Sequence, residues 1–161
     1  MIADSGRSVA FTGHRTYDGT AAESLSAAVE RLYGRGFRTF LSGMAVGFDL
    51  AAAHPDVRLV AVVPFRGQEE RFSPADRVRF LRAVSAADEV EVLAGGYRRG
   101  CYAVRNDFLV DRAALVVAWY DGSPGGTRYT LRRALARGRE VWNLHPSGGG
   151  LAIRPVQPAL F

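Results

Sequence analysis

The stretch Arg38-Thr-Phe-Leu-Ser-Gly-Met-Ala-Val-Gly-Phe-Asp-Leu50 sets the architecture of this chain. Its first four residues, 38–41 (RTFL), form a short run with a β-branched and an aromatic residue at its centre, which reads as a strand. Ser42-Gly43 breaks that run. A short helix is predicted from about 45 to 53, and Pro55 cuts it off. A strand that passes through a small polar loop into a helix is the repeating unit of a parallel α/β sheet.

The same unit recurs on both sides of this stretch. Residues 9–12 (VAFT), 58–63 (RLVAVV), 89–93 (EVEVL), 115–119 (LVVAW) and 140–144 (EVWNL) bring the predicted strands to six. Their near-continuous apolar character predicts burial on both faces. The helices between them carry start and stop signals. Thr20-Ala-Ala-Glu23 is a capping box ahead of Leu25, Ala28, Val29 and Leu32 at helical spacing, and Gly34 and Gly36 supply the stop. Ser73-Pro74-Ala-Asp76 sets an N-cap, a proline in the first turn and an acid near the positive end of the helix dipole. A helix from 101 to 112 precedes the fifth strand. Another starts near Gly126 and carries Leu131, Ala134 and Leu135 inward before Gly138. The expected fold is α/β: a Rossmann-like, doubly wound, mainly parallel sheet of about six strands with helices on both faces. Residues 1–146 form the domain. Residues 147–161 are a Gly-rich linker and an apolar tail, LAIRPVQPALF, that gives reason to expect a homodimer.

Composition narrows the classes. At 161 residues the chain suits one domain with one core. No run approaches the roughly 18 apolar residues of a membrane span, and the N-terminus lacks the pattern of a secretory signal. One cysteine, Cys101, excludes an internal disulfide framework and suits a cytoplasmic location; a buried thiol is its expected state. All 21 basic residues are arginine, a bias spread along the whole chain, so the net charge of +5 argues only weakly for an anionic partner. No membrane partner is expected.

In open α/β sheets, ligands bind beyond the carboxyl ends of the strands. The strand-to-helix loops are where small, polar and arginine residues gather: Thr12-Gly-His-Arg15, Ser42-Gly-Met-Ala-Val-Gly-Phe-Asp49, Pro64-Phe-Arg-Gly-Gln68 and Asp121-Gly-Ser-Pro-Gly-Gly-Thr127. Paired glycines before a helix allow close approach of backbone N–H groups to a phosphate, and Thr127 can cap the helix or donate to the anion. Ser42 and Gly43 repeat the arrangement, with Met44 beside them. Arg15 and Arg105 would add charge-assisted hydrogen bonds, with His14 and Asn106 next to them. Asp49 would accept from a ribose hydroxyl, Phe65 or Tyr97 would pack against a base, and Gln68 completes the candidate set. There is no P-loop, no G-x-G-x-x-G fingerprint and no nucleophile elbow, and the three histidines lack metal-ligand spacing, so no metal is expected.

These motifs, in order and spacing from Val9 to Leu144, resemble the YpsA-like proteins of the SLOG (DprA/LOG-like) superfamily. The resemblance implies a Rossmann-like fold and a pocket for nucleotides or ADP-ribose-like molecules. It implies no obligatory cofactor beyond a nucleotide-type ligand. Ser42 to His54 is also similar to a segment of DprA, which binds single-stranded DNA. LOG enzymes cleave nucleoside monophosphates with an arginine and a glutamate. Arg105 matches the arginine, while Thr130 stands at the glutamate's place, leaving Asp49 or Asp111 as substitutes. The leading reading is a sensor or ligand-binding protein for a nucleotide or nucleotide-derived phosphate such as ADP-ribose, NAD or a nucleoside monophosphate. A LOG-type hydrolase, with Asp49, Arg105 and Asp111 as catalytic candidates, and a DprA-like single-strand binder are the alternatives.

Overall fold

The computed structural model describes residues 7–13, 22–43, 56–146 and 154–155. In chain order these form β1 (Ser8–Gly13), α1 (Ala22–Gly34), β2 (Thr39–Ser42), β3 (Arg58–Val63), a 3-10 turn (Gln68–Arg71), α2 (Pro74–Ala86), β4 (Glu89–Val92), α3 (Cys101–Asp111), β5 (Leu115–Trp119), α4 (Gly126–Ala136), β6 (Glu140–Asn143) and the two-residue β7 (Arg154–Pro155). The predicted capping box at residues 20–23 and the short helix at 45–53 fall wholly or partly outside the described residues.

All strands pair in parallel, in the order β4-β3-β2-β1-β5-β6-β7. The six predicted strands are present, and β7 extends the sheet beyond β6 by two pairs, Trp142 with Arg154 and Asn143 with Pro155. The chain steps outward from β1 to β4 and then returns to the other side of β1 as β5. The topological switch point therefore lies between β1 and β5.

Alternation along the strands builds one core on each face of the sheet. Val9, Phe11, Phe40, Leu115 and Val117 pack under the α1 stripe of Leu25, Ala28, Val29 and Leu32, the residues whose spacing predicted that helix. The stripe ends at Gly36, at φ +94°, where the Gly36 N–H donates to Tyr33 O (3.0 Å) and the Phe37 N–H to Leu32 O (3.1 Å). On the opposite face Ala10, Leu41, Val60, Val62, Val116 and Ala118 pack against Leu109 and Val110 of α3 and Leu131 and Ala134 of α4. Cys101 is a buried free thiol.

Two expectations fail for geometric reasons. Strand β4 is the sheet edge, so Val90 and Val92 are 41% and 46% exposed rather than buried on both faces. In α4 the buried stripe is Thr127, Thr130, Leu131 and Ala134. At 100° per residue, Leu135 is turned away from that stripe, and it is 38% exposed.

A buried polar clamp joins the ends of β5 and β6. Asn143, fully buried, accepts from the Tyr120 N–H (3.0 Å) and the His145 N–H (3.1 Å) and donates to Tyr120 O (3.0 Å). Nothing in the local pattern EVWNL marks Asn143 as such a residue, because its partners lie on the neighbouring strand's exit.

Candidate functional site

A small open cleft lies at the carboxyl ends of β1 and β2, beside the switch point. Phe11 and Leu109 give it an apolar floor. Its polar lining is Thr12, Gly13, Ser42, Gly43, Arg105 and Asn106. Five of the sequence-predicted site residues thus meet here: Gly13, Ser42, Gly43, Arg105 and Asn106. Thr12 joins them, legible only as part of the Thr-Gly-His-Arg string.

Helix α3 runs antiparallel to the strands, so its first turns stand over their carboxyl ends. Gly100, at φ +83°, is the N-cap that turns the chain into the helix. Arg105 is only 6% exposed. Its Nη1 donates to Gly43 O, and its Nε donates to the Asn106 Oδ1 at 2.7 Å. A Cβ built on Gly43 would lie 3.1 Å from the Arg105 Cδ, Nε and Nη1, so glycine is what lets the guanidinium close on this loop. The arginine that the sequence offered for gripping phosphate thus also holds the β2 loop in place. Its guanidinium lies in the wall of the cleft, donating to a backbone carbonyl and to a side-chain amide oxygen.

Asn106 extends the contact to α4. A Cβ on Gly126 would lie 3.6 Å from the Asn106 Nδ2, which brings the glycine pair before α4 up to the same residue. Gly125, exposed and at φ +141°, is the N-cap of α4 and makes no side-chain capping bond. The first N–H groups of a helix have no intrahelical acceptor, so Gly126 and Thr127 face the loop with amides available to an anion. Thr127 does not cap the helix. It is buried at the second helical position. Upstream, Asp121 shapes the loop by accepting from the Ser123 N–H (2.9 Å) and Oγ (2.6 Å).

The remaining residues sort by position. Phe65 is buried, edge-on to Tyr97 (5.5 Å) and Tyr102 (5.9 Å), so the exposed ring of the pair is Tyr97. Gln68 is 2% exposed, and its Oε1 has no hydrogen-bond partner among the described residues. A buried acceptor in that state costs about 1–3 kcal/mol. Thr130 is fully buried and donates to Gly126 O at 2.8 Å, which commits its hydroxyl to the helix. His14, Arg15, Met44 and Asp49 lie outside the described residues.

Asp111 is not brought to the cleft. It ends α3, about 9 Å along the helix from Arg105. There its two carboxylate oxygens accept from the Arg133 Nη2 (3.1 and 3.0 Å), and it lies 3.9 Å from Arg137. One turn earlier, Asp107 accepts from the Tyr129 hydroxyl at 2.8 Å, and that bond, followed by desolvation, raises the Tyr129 pKa above its ordinary 10.0. A phenol whose folded pKa is raised adds stability below pH 10, and that stability is lost as pH rises through the folded value. Ultraviolet difference titration of the wild type against Tyr129→Phe is therefore expected to show one tyrosine ionising above 10. The stability gap between the two should narrow in alkali. A Tyr129 contribution that titrates at or below 10 would contradict the α3–α4 bond.

The comparisons with known proteins agree with this picture of the fold. The model of the YpsA family, described as the YspA SLOG family, matches residues 22–143. The uncharacterised SPbeta prophage-derived protein YoqJ of Bacillus subtilis is 28% identical, over 77% of this chain and 86% of its own length. DprA of Streptococcus pneumoniae superposes with a TM-score of 0.60 at 22% identity, covering 86% of this chain and 50% of that one. DprA of Helicobacter pylori, whose structure was described for its single-stranded DNA binding mode, gives 0.62 at 15% identity, covering 86% and 65%. The chain thus spans half to two thirds of these DprA structures, and the likeness is one of fold. No helix among the described residues is long and apolar enough to cross a membrane.

Proposed function

The chain belongs to the YspA SLOG family, and we propose that its cleft binds a nucleotide or nucleotide-derived phosphate ligand as a sensor or ligand-binding protein. The observation that carries this reading is the meeting of two separate chain segments on α3. Gly43, which follows β2, abuts Arg105, and Gly126, which opens α4, abuts Asn106. Backbone N–H groups of Gly13, Gly43 and Gly125–Thr127 would hold phosphate, and the buried Arg105 charge would favour it. The hydrolase alternative draws no support from Thr130 or Asp111, whose polar atoms are committed elsewhere.

The test is thermal unfolding of the full chain with AMP, ADP, NAD, ADP-ribose, cyclic nucleotides and a short single-stranded oligonucleotide. A ligand at 100 times its Kd adds about 2.7 kcal/mol. For a chain of this size that is a rise in Tm of roughly 5–11 °C. A rise with one small nucleotide that survives moderate salt supports the proposal, and product analysis of the same sample separates a binder from a hydrolase. A rise confined to the oligonucleotide and steeply lost with salt would replace it with single-strand binding. No rise with any probe would refute the phosphate cleft.

A further inference from the structure

The β3–α2–β4 corner of the molecule buries less than the rest of the fold. Helix α2 has 13 residues and buries only Phe80, whereas α4, with 11, buries Thr127, Thr130, Leu131 and Ala134. The core beneath α2 is small to match: Ala61, Val63 and Phe80, with four partly buried side chains around them. The register shows what is left open. Val90 pairs with Ala61 and Val92 with Val63, so both valines lie on the α2 face of the sheet, and the helix leaves them exposed. On α2 itself Val78 and Leu81 are 53% and 50% exposed. They stand about 160° and 100° around the helix from Phe80, on its outer side. The corner thus carries an apolar ridge on a helix and an apolar shelf on the edge strand. Charge divides the same way. Arg77, Arg79 and Arg82 are on α2, while Asp88, Glu89 and Glu91 are on β4 or directly before it. Arg82 and Glu91 form no ion pair among the described residues.

We propose that this corner binds a second copy of the chain about a two-fold axis, the α2 ridge of each copy lying on the Val90–Val92 shelf of the other. A two-fold contact uses one surface twice, and a surface that holds both a ridge and a shelf, with opposite charges, fits itself. The outer side of α2 is the part that a facing copy meets. Arg82, one turn after Val78, then comes to the acidic β4 edge and its Glu91. Joining the two sheets edge to edge is the weaker arrangement. An antiparallel β4 pair that matches both valines sets Glu91 opposite Glu91, and like charges so placed repel. Exposed apolar side chains gathered at one corner and rimmed by charge are the mark of such an interface. The corner shares no residue with the cleft lining, so the proposal stands apart from the ligand reading.

Sedimentation equilibrium of the full chain tests this. At about 100 μM the wild type is expected at twice its monomer mass of 17.5 kDa. Leu81→Arg should keep the circular dichroism of the folded chain and raise the dimer dissociation constant at least about a hundredfold, because the axis counts the lost contact twice. Val104→Arg, at an equally exposed apolar position on α3, should leave the dimer intact. Arg82→Glu and Glu91→Arg should each weaken association about tenfold, and the double variant should recover most of that loss. A monomeric wild type overturns the proposal whether or not any variant folds. A dimer that survives Leu81→Arg, that Val104→Arg dissociates, or that the double reversal fails to restore overturns it as well.

Discussion

Arg105→Ala is expected to abolish nucleotide-dependent stabilisation and to lower the stability of the free chain by about 3 kcal/mol. The variant removes the donors to Gly43 O and to the Asn106 Oδ1 in a setting only 6% exposed, so both acceptors lose partners that water cannot replace. It also leaves a cavity where the side chain fills the space above Gly43. In a chain of 161 residues the loss corresponds to a fall in Tm of roughly 6–12 °C. Arg105→Lys should recover little of either effect. One ammonium cannot reproduce the rigid fork that reaches a carbonyl on one side and an amide on the other. Thermal melts with and without AMP check both parts. A variant that melts within about 1 °C of the wild type and still responds to AMP would show that Arg105 neither orders the loop nor favours the anion.

The second large effect concerns stability alone. Asn143→Leu should destabilise the chain by about 3–4 kcal/mol, because it strands two buried backbone groups at about 1–3 kcal/mol each. The groups are the N–H and carbonyl of Tyr120, a residue only 1% exposed. Urea unfolding should show a lower midpoint with an unchanged slope, since the surface exposed on unfolding stays nearly the same. An unchanged midpoint would mean that the β5–β6 clamp contributes nothing and that the exits of these strands are held by sheet pairing alone.

The contrast between these two residues shows what the chain discloses before it folds. Strands and helices were legible because they rest on local periodicity: VAFT, RLVAVV and LVVAW lie inside β1, β3 and β5, and Leu25, Ala28, Val29 and Leu32 form the buried stripe of α1. The candidate site was legible as composition. Glycines and arginines in strand-to-helix loops follow from the parallel topology, and Gly13, Ser42, Gly43, Arg105 and Asn106 do line one cleft. What stayed hidden depends on partners far along the chain. Arg105 reads as a phosphate ligand until Gly43, 62 residues away, is seen to take one of its donors. Phe65 reads as a stacking ring until Tyr97 and Tyr102 are seen to enclose it. That Val90 and Val92 face solvent follows from the strand order, which no single strand specifies. Asn143 carried no local signal at all.

The most direct test of the phosphate cleft is amide mapping by NMR during titration of the full chain with AMP. The largest shifts are expected on the N–H groups of Gly13, Gly43 and Gly125–Thr127, with smaller ones on Arg105 and Asn106. Shifts that spare these amides and gather on α2 or the β4 edge would contradict it, and would place the binding surface on another face of the molecule.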